Sequence, residues 1–147
     1  MQYVFRKIKQ EDKSEIFSMM KEFYSSDAVL TNGSDEIFEA DIENCVNNNP
    51  YLDGYVFERQ DEIIGYAMLA KSFSTEFGKH CIWLEDLYLK PQYRGKGIVP
   101  EFVESIKEEY KNCILRLEVE KENEHACYVY KKLGFKEIPY CEMKLDN

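Results

Sequence analysis

Arg94, Gly95, Lys96 and Gly97 stand together between an apolar run, "CIWLEDLYL" (Cys81–Leu89), and an amphipathic run that begins at Ile98. Two glycines remove side chains where a backbone must bend and where a ligand can come close. A helix that starts directly after them offers unpaired N–H groups and the positive end of its dipole. The combination suits an anion, phosphate being the usual guest, with Arg94 and Lys96 adding positive charge at the rim. A plain strand-to-helix turn with exposed basic residues is the competing reading. Two common phosphate motifs are excluded. A Walker A loop needs glycine five positions before Gly95, where Lys90 stands, and a dinucleotide fingerprint needs a small residue where Pro100 stands. The spelling is Gln92-x-x-Gly95-x-Gly97. Pro100 suits a first helical turn but has no N–H to give a phosphate.

Two other groups could do proton chemistry. Glu85 and Asp86 are adjacent in an otherwise apolar strand, and neighbours on a strand point to opposite faces. One carboxylate is expected to face solvent and the other a cleft, and spacing does not say which. Tyr130 lies on the apolar side of the run "NEHACYVYKKLGF" (Asn123–Phe135) and carries a hydroxyl that needs a partner. By itself it reads more readily as a core aromatic than as a catalyst.

The elements that would hold these groups can be read from periodicity. "YVFRKI" (Tyr3–Ile8) is a first strand, and Ile16, Met19, Met20 and Phe23 fall at helical spacing. A second helix runs from a Ser34 cap to Val46, with Ile37, Phe38, Ile42, Cys45 and Val46 on one side. "YLDGYVFER", "EIIGYAMLAKSF" and "HCIWLEDLYL" form an antiparallel meander through turns at Gln60–Asp61 and Ser74–Lys79. A helix from Ile98 to Tyr110 follows, then the strand "CILRLEVE", then a helix capped by Asn123 and closed by Gly134. Ala126, Val129, Tyr130 and Leu133 make its core-facing stripe. Two short strands are expected in "FKEIPYCEMKL". The whole reads as one α+β domain over residues 1–147.

Bulk composition narrows the function. A net charge of -9 argues against nucleic acid as a main partner and gives a slight preference for cationic substrates. No apolar run reaches the roughly 20 residues of a membrane span. Charges in "MQYVFRKIKQEDKSE" sit where a signal peptide would need its apolar centre, so a cytoplasmic protein with no membrane partner is expected. The five cysteines are odd in number and unclustered, and read as reduced, mostly core thiols with no metal site.

The turn after "DLYLKPQYRGKG", followed by the pattern N-x-x-A-x-x-x-Y-x-K-x-G-F over Asn123–Phe135, resembles the GNAT superfamily of acetyl-CoA-dependent N-acetyltransferases. The "LEDLYL" strand is nearest in look to diamine and polyamine N-acetyltransferases. The resemblance implies a mixed central sheet of about seven strands flanked by about four helices. It implies acetyl-CoA as co-substrate and no metal, with the acetyl-CoA lying where the Leu84–Leu89 strand splays from Cys113–Val119. Backbone groups of Leu87, Tyr88 and Leu89 would pair with the pantetheine arm, and Asn123 and Ala126 would border it. The amides of Arg94, Gly95, Lys96, Gly97, Ile98 and Val99 would hold the pyrophosphate, with Gln92 shaping the turn. Tyr130 would protonate the leaving sulfur, and Glu85 would act as base. Asp86, the second choice of base, would help Glu85 draw in a cationic substrate.

The acceptor implied is a small amine, a polyamine or diamine first. A protein or peptide amine, or a non-catalytic acyl-CoA-binding module on the same fold, is the alternative. An acetyltransferase acting on aminoacyl-tRNA is disfavoured by the net acidity. Asp35, Glu36, Glu39 and Asp41 could line the acceptor wall, although charge on a helix is more usually a solvated face. Homodimerisation is common in the superfamily, and the aromatic C-terminal strands could contribute an interface.

Overall fold

In a computed structural model, residues 2–147 are described. Among them the order is β1 (Val4–Lys7), α1 (Lys13–Tyr24), α2 (Asp35–Val46), β2 (Leu52–Arg59), β3 (Glu62–Ser74), β4 (Lys79–Leu89), α3 (Ile98–Glu109), β5 (Ile114–Leu117) and α4 (Glu124–Lys132). The strands pair in sequence order, antiparallel from β1 to β4, with β5 parallel to β4.

The sheet buries both faces, so the strands read as apolar runs rather than alternating ones. One face carries Tyr55, Phe57, Ala67, Leu69, Ile82 and Leu84 against α3, which inserts Ile98, Phe102, Val103 and Ile106. Full burial of each such side chain is worth about 1.5–3 kcal/mol. The opposite face carries Val56, Tyr66, Met68 and Tyr88 against Ile16, Met19, Met20 and Phe23 of α1 and Phe38 and Ile42 of α2. The expected α1 stripe is therefore the buried one. On α2, Ser34 caps the helix by accepting from the Ile37 N–H at 3.2 Å. Ile37 is 52% exposed, contrary to expectation, because the buried side of α2 is set by Phe38 and Ile42, four residues apart, and Ile37 lies off it.

The β2–β3 hairpin turns at Gln60 and Asp61, both at positive φ, the twist that suits a two-residue loop. Beside it, Gly65 presses on the neighbouring strand. A Cβ there would lie 2.4 Å from the Tyr88 carbonyl.

The structure corrects three further expectations. The sheet has five strands, not about seven, because residues 135–147 form no strand. Alternation within that tail favours strand locally, but a strand exists only where a neighbour's ladder receives it, and Ile138, Tyr140, Met143 and Leu145 stay exposed. The tail's Tyr140 hydroxyl instead donates to Glu76 at 2.6 Å. Next, α4 buries no residue fully. Ala126, Val129, Tyr130 and Leu133 are half-buried, and of these Leu133 packs against the core beneath α3. Finally, the five cysteines are all free, but only Cys81 is buried; Cys141, in the tail, is exposed.

Candidate active site

The strand β4 contains an extra residue. Met68 pairs with Asp86 and Leu69 with Leu84, so Glu85 is bulged out between them. A bulge shifts the side-chain phase by one position. Leu84 and Leu87 consequently both face α3, and Asp86 faces α1 and α2. The bulge also marks where the sheet opens. β4 pairs with β5 only over Cys81–Leu84 and Ile114–Leu117. Beyond Leu84 and Leu117 the two parallel strands have no common ladder, leaving a gap with Glu85 and Glu118 at its apex.

Ladder register fixes which backbone groups face that gap. Lys90 N–H donates to the Ile64 carbonyl at 2.9 Å, so Gly65 and Leu89 are a non-hydrogen-bonded pair. The N–H and C=O of Leu89, and by alternation those of Leu87, therefore point away from β3, while those of Tyr88 are turned toward Tyr66. Leu87, Tyr88 and Leu89 also line a recess of about 270 Å³, whose other walls are Phe23, Ser26, Ala28 and Arg94. Arg94 reaches across it, its Nε donating to the Leu89 carbonyl at 2.9 Å and its guanidinium standing 5.5 Å from the centre of the Tyr88 ring.

The turn after β4 is a 3-10 segment, Pro91–Tyr93, with Gln92 exposed. Tyr93 is pinned by its hydroxyl to Glu62 at 2.6 Å. Gly95 and Gly97 adopt φ of 73° and 80°, and a Cβ on either would meet nothing within 4 Å. Glycine is needed there for the backbone conformation, and the space in front of the turn is open. Gly97 serves as the α3 N-cap, which leaves the Ile98 and Val99 amides at the helix mouth without helical acceptors. The Lys96 ammonium lies 5.9 Å from the Tyr93 ring centre at the rim. A free strand edge leading to an open helix N-terminus fits a long ligand that is peptide-like in one part and phosphorylated in another.

Five carboxylates gather around the gap, and none is in an ion pair among the described residues. Asp86, 4% exposed, accepts the Tyr24 hydroxyl on Oδ1 and the Tyr66 hydroxyl on Oδ2, each at 2.8 Å. Burial holds its carboxyl above the usual range, against the pull of the two phenols. Glu85 is raised by burial first, then by the charges of Asp86 and Glu142. Asp41 of α2 is pushed up to about 6 by burial and then by Asp86 and Glu85. Glu118 is raised foremost by sharing a hydrogen bond with Glu142 of the tail, then by burial and neighbouring charge. Among the described residues, none of these groups forms a cluster placed to hold a metal ion.

Asn123 caps α4, accepting from Ala126 N–H at 3.2 Å. The Tyr130 ring meets Phe135 edge-on at 5.8 Å between centres, and burial pushes its phenol up to about 12. Its hydroxyl bonds no group among the described residues, so at neutral pH it is a protonated, uncommitted donor.

The sequence-predicted residues thus fall into a turn (Gln92–Val99), a strand edge (Glu85–Leu89) and a helix (Asn123–Tyr130), of which the first two are continuous. Of the four α2 carboxylates expected at the acceptor wall, Asp41 is half-buried, while Asp35, Glu36 and Glu39 are exposed. Tyr24, Tyr66, Glu118 and Glu142 were not anticipated. Each is brought in by pairing between distant segments, which leaves no local pattern.

Residues 14–135, most of the chain, match the Acetyltransferase (GNAT) family. The chain belongs to that family. This GNAT acetyltransferase is 39% identical over 83 residues to the thialysine N-epsilon-acetyltransferase of Bos taurus, covering 54% of this chain and 48% of the cattle protein. It is 30% identical over 152 residues to the enzyme of the same name from Sus scrofa, covering 95% and 87% respectively. Among solved structures, a predicted acetyltransferase from Clostridium acetobutylicum, determined with acetyl-CoA, superposes with a TM-score of 0.78 at 24% identity, over 97% of this GNAT chain and 96% of the clostridial one. Among the described residues of the GNAT chain, no helix is long and apolar enough to cross a membrane.

Proposed function

We propose that this GNAT protein transfers the acetyl group of acetyl-CoA to a primary amine of a small cationic molecule, of the diamine or polyamine class. The observation that carries this reading is the unpaired group of Asp41, Glu85, Asp86, Glu118 and Glu142 around the gap. Each raises the cost of ionising another, and a ligand with two or more ammonium groups relieves that repulsion. The relatives named for acetylating thialysine support a small amine as acceptor.

The pantetheine arm pairs with the outward N–H and C=O of Leu89 and the outward C=O of Leu87, which leaves the Leu87 N–H free. Asn123 and Ala126 border the arm, and the pyrophosphate meets the amides from Arg94 to Val99. Arg94, released from the Leu89 carbonyl, is free to meet phosphate charge. An alkyl ammonium with a pKa near ~10.4 is only about 0.04% neutral at pH 7, so generating the free amine costs roughly 4.6 kcal/mol without a base. Asp86 has both oxygens committed to phenols, which leaves Glu85, solvent-accessible on the bulge, to take the proton directly or through water. The amine then attacks the thioester carbonyl, the Leu87 amide stabilises the oxyanion, and Tyr130 protonates the departing thiolate.

The test is acetyl-CoA-dependent thiol release against putrescine, spermidine, spermine, lysine analogues, aminoglycosides and a lysine-rich peptide. Fastest release with the diamines and polyamines is expected. Release with the peptide alone, or acetyl-CoA binding without release on any amine, would overturn the reading.

A further inference from the structure

Asp86 is a buried carboxylate supported by two neutral hydroxyls and, among the described residues, by no cation. Its two partners differ in what they anchor. Tyr66 is fully buried in the middle of β3, already held by the sheet ladder on both sides. Tyr24 is the last residue of α1, and residues 25–34 after it form neither helix nor strand.

The far end of that segment is held by Ser34, which caps α2, and Val29 packs against the core beneath α1 and α2. The first residues after Tyr24 have few ties of their own. Ser25 Oγ donates to the Glu22 carbonyl at 3.0 Å, Ser26 Oγ to the Phe23 carbonyl at 2.6 Å, and the Ala28 N–H to Ser26 Oγ at 3.2 Å. All of these stay within the segment or the helix turn before it. Yet Phe23, Ser26 and Ala28 make the wall that faces Leu87, Tyr88, Leu89 and Arg94 across the recess. The Tyr24 hydroxyl is the polar link between that wall and β4, and it lands one residue from the bulged Glu85. Rings reinforce it: Tyr24 packs on Phe38 of α2 at 5.2 Å between centres, and Phe23 edge-on to Tyr88 at 6.3 Å.

We propose that Tyr24 is a positioning residue: by clamping the end of α1 to Asp86, it sets where the wall of Phe23, Ser26 and Ala28 holds the acceptor amine relative to Glu85. This rests on the acetyl-transfer reading above. Asp86 acts on the same wall through Tyr24, so the clamp assigns the buried carboxylate an anchoring duty rather than a proton-transfer one. A ring left in place without its hydroxyl keeps the packing and releases the anchor.

The experiment compares Tyr24→Phe with Tyr66→Phe, since each removes one hydroxyl from the same carboxylate. Tyr24→Phe is expected to lower kcat/KM for the amine about tenfold, the scale of one lost hydrogen bond to a charged group, with acetyl-CoA affinity within about twofold of wild type. Tyr66→Phe is expected to lower the melting temperature at least as much and to leave amine kcat/KM within about threefold. Equal losses of amine kcat/KM in the two variants, or none in Tyr24→Phe, would show that the hydroxyls merely satisfy a buried charge and would overturn the proposal. Amide hydrogen exchange reads the clamp without turnover: the hydrogen-bonded amides of Ser25, Ser26 and Ala28 should exchange faster in Tyr24→Phe and not in Tyr66→Phe. Unchanged exchange in Tyr24→Phe overturns the clamp whatever the activity. Faster exchange in a protein that acetylates no amine would sink the functional reading and leave the clamp standing.

Discussion

Leu84 and Asp86 lie two residues apart on β4 and face opposite sides of the sheet. Leu84 packs in the core beneath α3, while Asp86 accepts hydroxyls from Tyr24 and Tyr66 on the side of α1 and α2. In a regular strand they would share a face. The bulged Glu85 between them changes the phase, at the point where β4 loses β5 as a partner. One extra residue therefore sets an accessible carboxylate at the apex of the gap and turns the Leu87 and Leu89 backbone toward it.

If Glu85 is the base, Glu85→Gln should lower kcat by about 10²-fold or more, the usual worth of a positioned base. The pH profile supplies the sign. Glu85 acts deprotonated, and burial with its acidic neighbours raises its pKa, so wild-type kcat/KM should fall on the acid side above the ordinary carboxylate range. In Glu85→Gln that limb should be absent. An unchanged limb in the variant would move the base elsewhere.

Asp41 predicts an opposition between stability and substrate binding. Its folded pKa, about 6, is above the ordinary carboxylate value, so its charge opposes folding above that pH and ceases to do so as pH falls toward 4. A shift of two units would be worth ~3 kcal/mol, and partial exposure reduces it. Asp41→Asn should therefore stabilise the protein at pH 7.5 by about 1–2 kcal/mol, with no gain at pH 4, in denaturant titrations. The same variant should raise the KM for a diamine. Stabilisation without a change in KM would make Asp41 a bystander.

Gly97 caps α3 at a φ of 80° with nothing near an added Cβ. Gly97→Ala should therefore act through backbone strain alone, costing about 1–2 kcal/mol of stability. Because the Ile98 and Val99 amides depend on that conformation, acetyl-CoA affinity should fall while amine KM holds. Calorimetric titration with acetyl-CoA measures it, and wild-type affinity would separate the turn from the cofactor.

What the sequence shows follows the range of each interaction. The α1 stripe of Ile16, Met19, Met20 and Phe23 was legible because helical periodicity is local, and the Gln92–Val99 turn because its glycines are demanded by φ. The bulge at Glu85 was not, since a register shift exists only between two strands. For the same reason "LEDLYL" could not say which carboxylate is buried, and Tyr24 and Tyr66 could not be paired with Asp86 across 62 and 20 residues. The tail "FKEIPYCEMKL" misled because alternation reports strand preference and not the presence of a neighbouring edge.

In the proposed mechanism the chemistry turns on Tyr130, a half-buried phenol that burial pushes up to about 12, with no hydrogen-bond partner among the described residues. The decisive measurement is a steady-state comparison of Tyr130→Phe with wild type on the best amine, alongside the dissociation constant for acetyl-CoA. A fall in kcat of about 10²-fold with the dissociation constant unchanged is the result expected of an acid acting only on the departing thiolate. Equal losses of turnover and acetyl-CoA binding would make Tyr130 a packing residue and contradict the mechanism.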